Sequence, residues 1–417
     1  MSNLAVLFPK QAHSDETILE PHTMTGDWLD PAEVRSLTVE QVLARVEALR
    51  PLIADNARKA ELLRHPVDEV WAAIRATGIF YLFVPKKYGG MEAGGLQALT
   101  DAVVSIGESC TSTAWCTCFS IYHQWTMMQF TEKFQQEIWG ELPYFTSAGS
   151  GGPTGTATRV EGGFRLSGRW KWASGVMHAE WINTAAMVEE DGRMTPYFFF
   201  VPVTDATILD TWYVDGMVGT GSHDYTIDDI FVPEHRSIEM GKLTSGQLHH
   251  DNPFYRMPMA PAFALTVLAP GLGAARGAVA RYRERLKTSG PGGGPTDKQI
   301  QLATLGTAET QVQVAELITR EATRELEHLG GQDTPMTLED RVRLRTRYAY
   351  ALDLCRTALR ALNDEGGSSA HYLSNPAQRA TRDVTTLSTH AIVDKSPTME
   401  LQGRISVGLP SNAPWFR

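Results

Sequence analysis

The chain has 417 residues, of which 42% are hydrophobic and 21% are charged, a composition typical of folded globular proteins. A chain of this length can form about two to three domains. Forty-eight acidic residues against 38 basic ones give a net charge of −10. That balance argues against a general binder of nucleic acids or anionic membranes, because such partners require a basic surface.

The cysteines exclude a disulfide framework. Cys110, Cys116 and Cys118 lie close together in the sequence, Cys355 lies far from them, and the sequence contains neither a CxxC pair nor another zinc-ligand spacing. We therefore expect buried free thiols, a reducing compartment and no metal site. The N-terminus lacks the features of a signal peptide, and Pro270 interrupts the longest apolar stretch, so we expect a cytoplasmic protein that does not contact a membrane.

In chain order, the sequence predicts a leader and then a helical domain. Residues 1–35 are polar and lack periodicity, so we predict an irregular leader that runs over the surface. Residues 36–143 place apolar side chains three and four positions apart, as in VEQVLARVEAL. This spacing predicts an N-terminal helical domain.

Residues 144–245 change to strand-like patterns, and we predict a central antiparallel β-barrel or sandwich. In FRLSGRWKWAS, apolar and polar side chains alternate as in a half-buried strand. The apolar face of this predicted strand consists of Phe164, Leu166, Trp170 and Trp172.

Residues 246–417 return to long amphipathic patterns, which predict a C-terminal domain similar to a four-helix bundle. Gly271, Gly273 and Gly277 resemble a dinucleotide-binding fingerprint, but the strand and acidic residue of that motif do not follow. We interpret these glycines as small residues that allow two helices to pack closely. The predicted fold is therefore mainly α with an inserted β domain.

Four segments, in this order, resemble the acyl-CoA dehydrogenase superfamily. They are FVPKKYGG, RLSGRWKWASG, GTGSHDYTIDDIFVPEHR and RATRDVTTLSTH, and the resemblance extends over roughly residues 42–390. Within that superfamily they are most similar to the two-component (group D) flavin-dependent monooxygenases. The resemblance implies an acyl-CoA dehydrogenase-like fold and a flavin cofactor.

One departure separates this sequence from the dehydrogenases. Those enzymes carry a catalytic glutamate in a Tyr-Glu-Gly-type segment, and the corresponding stretch here, THAIVDKSPT, has no such motif. The oxygenases instead carry a histidine after the Arg-Asp motif, which corresponds to His390. The resemblance therefore implies that His390 is a catalytic acid or base. The alternative is a structural histidine without a role in catalysis.

The resemblance also implies roles for three further residues. Ser174 corresponds to a serine or threonine near N5 of the flavin, although it could be a simple turn residue. Trp172 corresponds to the aromatic residue beside the flavin ring. His123 corresponds to a position that contacts flavin or substrate, whereas a lone histidine on an apolar helix is more often structural. Imidazole suits such roles because its ordinary pKa of about 6.5 is close to working pH.

The flavin phosphate requires cations or helix N-termini. Arg256 and Arg382 are the candidate cations and Ser374 is a candidate hydroxyl donor, with ordinary ion pairing as the alternative for both arginines. The resemblance implies a homotetramer. Because the sequence has no fold that would bind NAD(P)H, a separate NAD(P)H:flavin reductase is expected to deliver the reduced flavin.

Together these features predict a monooxygenase that uses FMNH2 or FADH2 and O2 to hydroxylate a small aromatic substrate, such as a phenol or an indole. The resemblance implies a C4a-hydroperoxyflavin that Ser174 preserves, while His390 helps to form the phenolate and His123 positions the substrate. Four alternatives are N-oxidation of amino sugars, S-oxidation of heteroaromatics, an acyl-CoA dehydrogenase with a relocated base, and a non-catalytic helical assembly protein.

Overall fold

In a computed structural model, which describes residues 17–22, 28–190, 192–246 and 250–416, two groups of helices precede and follow most of the strands. The N-terminal helices are α1 Pro31–Ser36, α2 Val39–Ala48, α3 Arg50–Leu63, α4 Asp68–Arg75, α5 Gly95–Gly107, α6 Thr111–Met127 and α7 Glu132–Glu141. α2 begins at a capping box, in which the side chains of Thr38 and Gln41 each accept from the other residue's backbone N–H.

The strands form a mixed sheet between the two helical parts. They are β1 Ile18–Leu19, β2 Ser147–Val160, β3 Gly163–Ala173, β4 Trp181–Glu190, β5 Arg193–Pro202, β6 Thr207–Leu209, β7 His223–Pro233 and β8 Ser237–Glu239, in the order β1-β6-β7-β3-β2-β4-β5-β8. β2 and β4 pair in parallel, so the prediction of an antiparallel β unit is wrong for this pair of strands. After the β2–β3 hairpin the chain crosses to the other edge of β2, so β4 runs in the direction of β2.

The leader contributes to the sheet, so the prediction of an irregular surface segment is wrong for part of residues 1–35. β1 pairs antiparallel with β6, with Ile18 opposite Leu209. The His22 N–H then donates to the Met177 carbonyl at 2.6 Å. These partners lie far away in the sequence, which local periodicity does not reveal. Residues 1–16 and 23–27 of the predicted leader lie outside the described part of the chain.

The C-terminal helices complete the helical body. They are α8 Met240–Ser245, α9 Met259–Thr288, α10 Gln299–Gly330, α11 Leu338–Asp364, α12 Pro376–Leu387 and α13 Lys395–Ser406. α9 packs on both α5 and α6, so the two ends of the chain share one apolar core. The strands bury a second apolar cluster of their own. The predicted order of helical, β and helical parts is confirmed.

Small residues bring α9 close to α5. A Cβ added at Gly277 would lie 2.3 Å from the Glu108 carbonyl oxygen, and one at Gly273 would lie 2.4 Å from that of Val104. The interpretation of these glycines as close-packing residues is confirmed. α9 is also the one described helix that is long and apolar enough to cross a membrane, but 89% of its most apolar window is buried inside the protein. Such burial is typical of a core helix.

Candidate active site

One face of α6 carries Trp115, Phe119 and His123, spaced one helical turn apart. The ring centroids of Trp115 and Phe119 lie 4.7 Å apart, and those of Phe119 and His123 lie 5.5 Å apart. α6 is buried along almost its whole length. A buried helix of this kind holds functional side chains rigidly.

Two residues from the C-terminal part complete this group. The ring of Phe263, on α9, lies 5.7 Å from that of Phe119. His390 follows the end of α12, and its ring lies 5.4 Å from Phe263 and 5.8 Å from Trp115. We call Trp115, Phe119, His123, Phe263 and His390 the aromatic cluster. Phe119, Phe263 and His390 are half-buried, whereas Trp115 and His123 are buried, so part of the aromatic cluster is exposed to solvent.

His123 has partners at both ring nitrogens. Its Nδ1 lies 3.0 Å from the Ser147 carbonyl oxygen and 2.7 Å from Ser147 Oγ, and Asn183 Nδ2 lies 3.4 Å from its Nε2. A hydrogen on Nδ1 satisfies the carbonyl and leaves Nε2 to accept from Asn183. Burial lowers the pKa of His123 to about 4, so the ring is neutral at physiological pH. This environment suits a positioning role. Sequence reasoning missed Ser147 and Asn183, because their contacts with His123 are non-local.

The ring of His390 is oriented by its own backbone. The Ile392 N–H donates to His390 Nδ1 at 3.3 Å, so the neutral ring carries its hydrogen on Nε2. Burial among aromatic rings lowers the pKa of His390 to about 4. A neutral His390 therefore offers a hydrogen-bond donor at Nε2, whereas the lone pair that a base would use is already engaged.

The C-terminal tail covers one side of the aromatic cluster. Trp415 stacks on Phe263 with ring centroids 5.9 Å apart. The neighbouring Phe416 is buried, and the Arg345 guanidinium lies 4.9 Å from its ring centroid. A Cβ at Gly151 would lie only 2.9 Å from the Trp415 ring, so a glycine there makes room for the indole. The sequence offers no signal for this contact beyond two aromatic residues near its end.

The end of β3 departs from regular strand geometry. Trp170 is fully buried and stacks on Tyr225 at 5.4 Å, whereas Trp172 is 66% exposed, so these two tryptophans do not share the predicted face. The register between β3 and β7 shifts between Trp170 and Ala173, and Trp172 has a φ of 69°. A bulky residue at positive φ is strained, and such strain concentrates at functional sites.

A chain of hydroxyl groups follows β3 and fixes the direction of the Ser174 hydroxyl. Ser174 Oγ lies 2.7 Å from Ser222 Oγ, which lies 2.6 Å from Thr220 Oγ1. Thr220 donates its own hydrogen to the Met217 carbonyl at 2.8 Å. Ser222 must therefore donate to Thr220, and Ser174 must donate to Ser222. This order leaves the lone pairs of Ser174 Oγ free to accept a hydrogen bond.

The turn that carries Ser174 lies against α6. The Gly175 N–H donates to the Thr220 carbonyl at 2.8 Å, and the Cys116 thiol contacts the same carbonyl at 3.7 Å. Gly175 has a φ of 76°, and a Cβ there would lie 3.5 Å from Cys116 Sγ. The Ser174 turn therefore packs on the same helix, α6, that carries three members of the aromatic cluster.

The two arginines predicted to bind the phosphate already have partners within the chain. Arg256 forms an ion pair with Asp333 at 2.9 Å, and Arg382 forms one with Glu61 at 2.5 Å. Ser374 is exposed in the segment before α12. Both guanidinium groups are therefore already engaged in part by contacts within one chain.

The residues at the end of β3 fit a planar ring that carries an N–H donor. The exposed indole of Trp172 offers an apolar face, and Ser174 Oγ offers a free acceptor beside it. Reduced isoalloxazine has both a flat face and an N–H group at N5. The neighbouring aromatic cluster offers apolar walls and the Nε2–H donor of His390, which suit an aromatic ring that bears an oxygen substituent.

Comparison with known proteins shows the family to which the chain belongs. Residues 265–395 match the family described as acyl-CoA dehydrogenase, C-terminal domain. The chain is 38% identical over 395 residues to a pigment production hydroxylase from Rhodococcus sp. (strain ATCC 21145), covering 91% of this chain and 99% of that protein. It is 31% identical to the oxygenase component of an FADH2-dependent resorcinol hydroxylase from Rhizobium sp. (strain MTP-10005), covering 88% and 94%.

Among solved structures, XiaF from Streptomyces sp., in complex with FADH2 and glycerol, superimposes with a TM-score of 0.84 at 28% identity, covering 92% of this chain and 98% of that one. Both the helical–β–helical order and the sequence likeness extend over nearly the whole chain. The chain therefore belongs to the oxygenase components of flavin-dependent monooxygenases, which share the acyl-CoA dehydrogenase fold.

Proposed function

We propose that this protein hydroxylates a small phenolic substrate with O2, using FADH2 that a separate NAD(P)H:flavin reductase delivers. The observation that carries the proposal is that contacts through Phe119 and Phe263 link His123 and His390 in one aromatic cluster, while the Ser174 turn packs on the helix that carries His123. A resorcinol hydroxylase among the relatives supports a phenol, and the FADH2-dependent relatives favour FADH2 over FMNH2.

Bound FADH2 would supply the electrons that activate O2 for transfer of one oxygen atom to the substrate. The exposed indole of Trp172 would pack on the face of the flavin ring. Ser174 Oγ would accept a hydrogen bond from N5–H, because its own hydrogen is already donated to Ser222. Such a bond would hold the proton at N5 and so oppose unproductive release of H2O2.

His390 would bind the phenolic oxygen through Nε2–H. A hydrogen bond becomes stronger when its acceptor becomes negatively charged, so this donor would favour the phenolate over the phenol. The phenolate form makes the adjacent ring carbon more nucleophilic. His123, held by Ser147 and Asn183, would form a fixed wall of the substrate pocket. Phe119 and Phe263 would contribute the remaining apolar walls and exclude water from the reacting atoms.

We further propose that a second copy of this chain completes the flavin phosphate site, because Arg256 and Arg382 are engaged within one chain. The described C-terminal helices support assembly into the expected homotetramer. Leu317 and Tyr350 are 68% and 45% exposed, and both line an open groove of about 560 Å³ between α10, α11 and α13. Exposed apolar surface of this kind is typical of an interface. We expect the assembly to work in the cytoplasm without contacting a membrane.

The test supplies the purified chain with FADH2 from a generic flavin reductase and offers resorcinol, 1,3-dimethoxybenzene (resorcinol with both hydroxyl groups methylated), indole, an amine and a thioether. Hydroxylated product and H2O2 are both measured. We expect the highest yield of product with the free phenol and mainly H2O2 with its methylated counterpart, which cannot form a phenolate. Product from the amine or the thioether alone would contradict the proposal.

A further inference from the structure

Four side chains from separate parts of the chain converge outside the aromatic cluster. His22 belongs to the leader, and His65 lies in the turn between α3 and α4. Asp68 is the first residue of α4, and His178 lies in the segment after β3. One nitrogen or carboxylate oxygen from each lies within 4.8 Å of those of the others. Among the residues that the structure describes, this is the one group of three or more His, Cys, Asp or Glu side chains arranged in this way.

The carboxylate of Asp68 joins two of the imidazoles. Its Oδ1 lies 2.8 Å from His22 Nδ1 and 2.9 Å from His178 Nε2. His65 Nδ1 lies 2.7 Å from the Pro66 carbonyl oxygen, so Nδ1 carries the hydrogen and Nε2 keeps a free lone pair. A carbonyl that fixes the imidazole tautomer in this way is a frequent second partner of metal-binding histidines.

The fold holds these ligands in place. The His178 side chain is fully buried, and its backbone carbonyl accepts from Thr146 Oγ1 at 2.7 Å. His22 is fixed by the bond from its N–H to Met177, one residue before His178. The three imidazole centroids lie 4.8 to 5.5 Å apart.

We propose that His22, His65, Asp68 and His178 form a structural zinc site. Three imidazoles and one carboxylate are donors that Zn²⁺ binds readily, whereas Mg²⁺ and Ca²⁺ prefer oxygen ligands. With Zn–N distances of about 2.0–2.1 Å, a tetrahedral site needs ligand atoms about 3.3 Å apart. The four ligand atoms lie at most 4.8 Å apart, so metal binding requires each pair to approach by at most about 1.5 Å. Asp68 is 62% exposed and gives the ion a route from solvent.

The site would act on stability and not on the chemistry of hydroxylation. It would join the leader to α4 and to the segment that follows Ser174, so bound metal would fix the turn on which the flavin-facing serine lies. The sequence predicts no metal site because the ligands, of which His22 and His178 are 156 positions apart, form no recognisable spacing. The cysteines do not compete for the metal, since all four are free and buried, as predicted, and burial raises the pKa of each thiol.

The test uses the full-length protein after treatment with a chelator. Zn²⁺ alone is titrated by calorimetry into the wild type, His22→Gln, Asp68→Asn and the control His371→Gln, which changes an exposed histidine outside the group. A parallel titration with Co²⁺ reports tetrahedral coordination through its visible absorption. Circular dichroism of each variant confirms that it is folded, and thermal unfolding is recorded with and without Zn²⁺.

We expect the wild type and His371→Gln to bind about one Zn²⁺ per chain and to unfold at higher temperature with the metal. His22→Gln and Asp68→Asn should bind at least about tenfold more weakly. No saturable binding by the wild type, or unchanged binding by either ligand variant, would leave only a metal-free hydrogen-bonded group and overturn the proposal. Neither readout depends on hydroxylase activity, so this result is independent of the proposed function.

Discussion

Ser174 Oγ donates its hydrogen to Ser222 Oγ across 2.7 Å, and this direction makes Ser174 an acceptor toward any flavin beside it. In Ser222→Ala that donation is lost, so the Ser174 hydroxyl can rotate and no longer presents fixed lone pairs. The loss of one ordered hydrogen bond corresponds to about a five- to tenfold increase in the ratio of H2O2 to hydroxylated product. Ser167→Ala, on β3 but outside this hydroxyl chain, should leave the ratio unchanged. An unchanged ratio in Ser222→Ala would refute the ordered chain.

Two replacements separate the donor role of His390 from that of a base. His390→Gln keeps a neutral N–H donor of similar reach, whereas His390→Leu keeps only apolar volume. We expect His390→Leu to lower the rate of phenol hydroxylation by about 10- to 100-fold and His390→Gln to retain a substantial part of it, because a donor to a developing phenolate contributes roughly 1.5–3 kcal/mol. Equal losses in both variants would indicate that His390 transfers a proton as a base.

The lowered pKa values also predict how stability depends on pH. Burial lowers the pKa of His123 and His390 to about 4, below the value of about 6.5 in the unfolded chain. Between these values the unfolded chain binds more protons, so the free energy of unfolding is highest above about pH 6.5 and falls as the pH decreases toward 4. Urea denaturation should show this decrease. The decrease should be smaller in His123→Asn, and an identical slope in that variant would contradict a neutral buried His123.

Trp415 should control access to the aromatic cluster. Trp415→Ala removes the indole that stacks on Phe263, which opens the pocket to water and to larger substrates. We expect a larger fraction of reducing equivalents to appear as H2O2, together with turnover of bulkier phenols that the wild type rejects. Leu409→Ala changes an exposed residue of the same tail and serves as the control. The same substrate range in Trp415→Ala and the wild type would exclude this covering role.

A matched pair of glycines tests the packing of α9 on α5. In Gly277→Ala the new Cβ would lie 2.3 Å from a backbone oxygen, so we expect a loss of about 1–3 kcal/mol in the free energy of unfolding. Gly306→Ala, on α10 with no atom within 4 Å of the new Cβ, should instead gain about 0.5–1 kcal/mol through helix propensity. Unfolding by denaturant measures the free energy of unfolding of both variants. If Gly277→Ala were as stable as the wild type, α5 and α9 could move apart without loss of stability.

Most of the fold could be predicted from the sequence, because the patterns that indicate helices and strands are local. Helical periodicity, strand alternation and the small residues of α9 each depend on neighbours within a few positions, and the structure agrees with all three except for the alternation at Trp172. The site was predicted less completely. The family resemblance points to His123, His390 and Ser174, and the structure links the two histidines through Phe119 and Phe263. The exposure of Trp172 depends on a register shift between β3 and β7, which alternation alone cannot show.

Long-range contacts account for the rest of what the sequence does not show. Ser147 and Asn183 fix the tautomer of His123 from two different strands, and Ser222 orders Ser174 from a third segment. The ion pairs that engage Arg256 and Arg382 join residues 77 and 321 positions apart. Pairing at such distances is set by tertiary packing, and no single segment of the chain encodes it.

A single turnover without any reductase tests the central claim most directly. The purified protein is loaded with FADH2 and resorcinol in the absence of air and then mixed with isotopically labelled O2. The account predicts hydroxylated product that carries one labelled oxygen atom, and it predicts that Ser174→Ala and His390→Leu shift the outcome toward H2O2. Quantitative release of H2O2 without labelled product from the wild type, for every phenol tested, would contradict it.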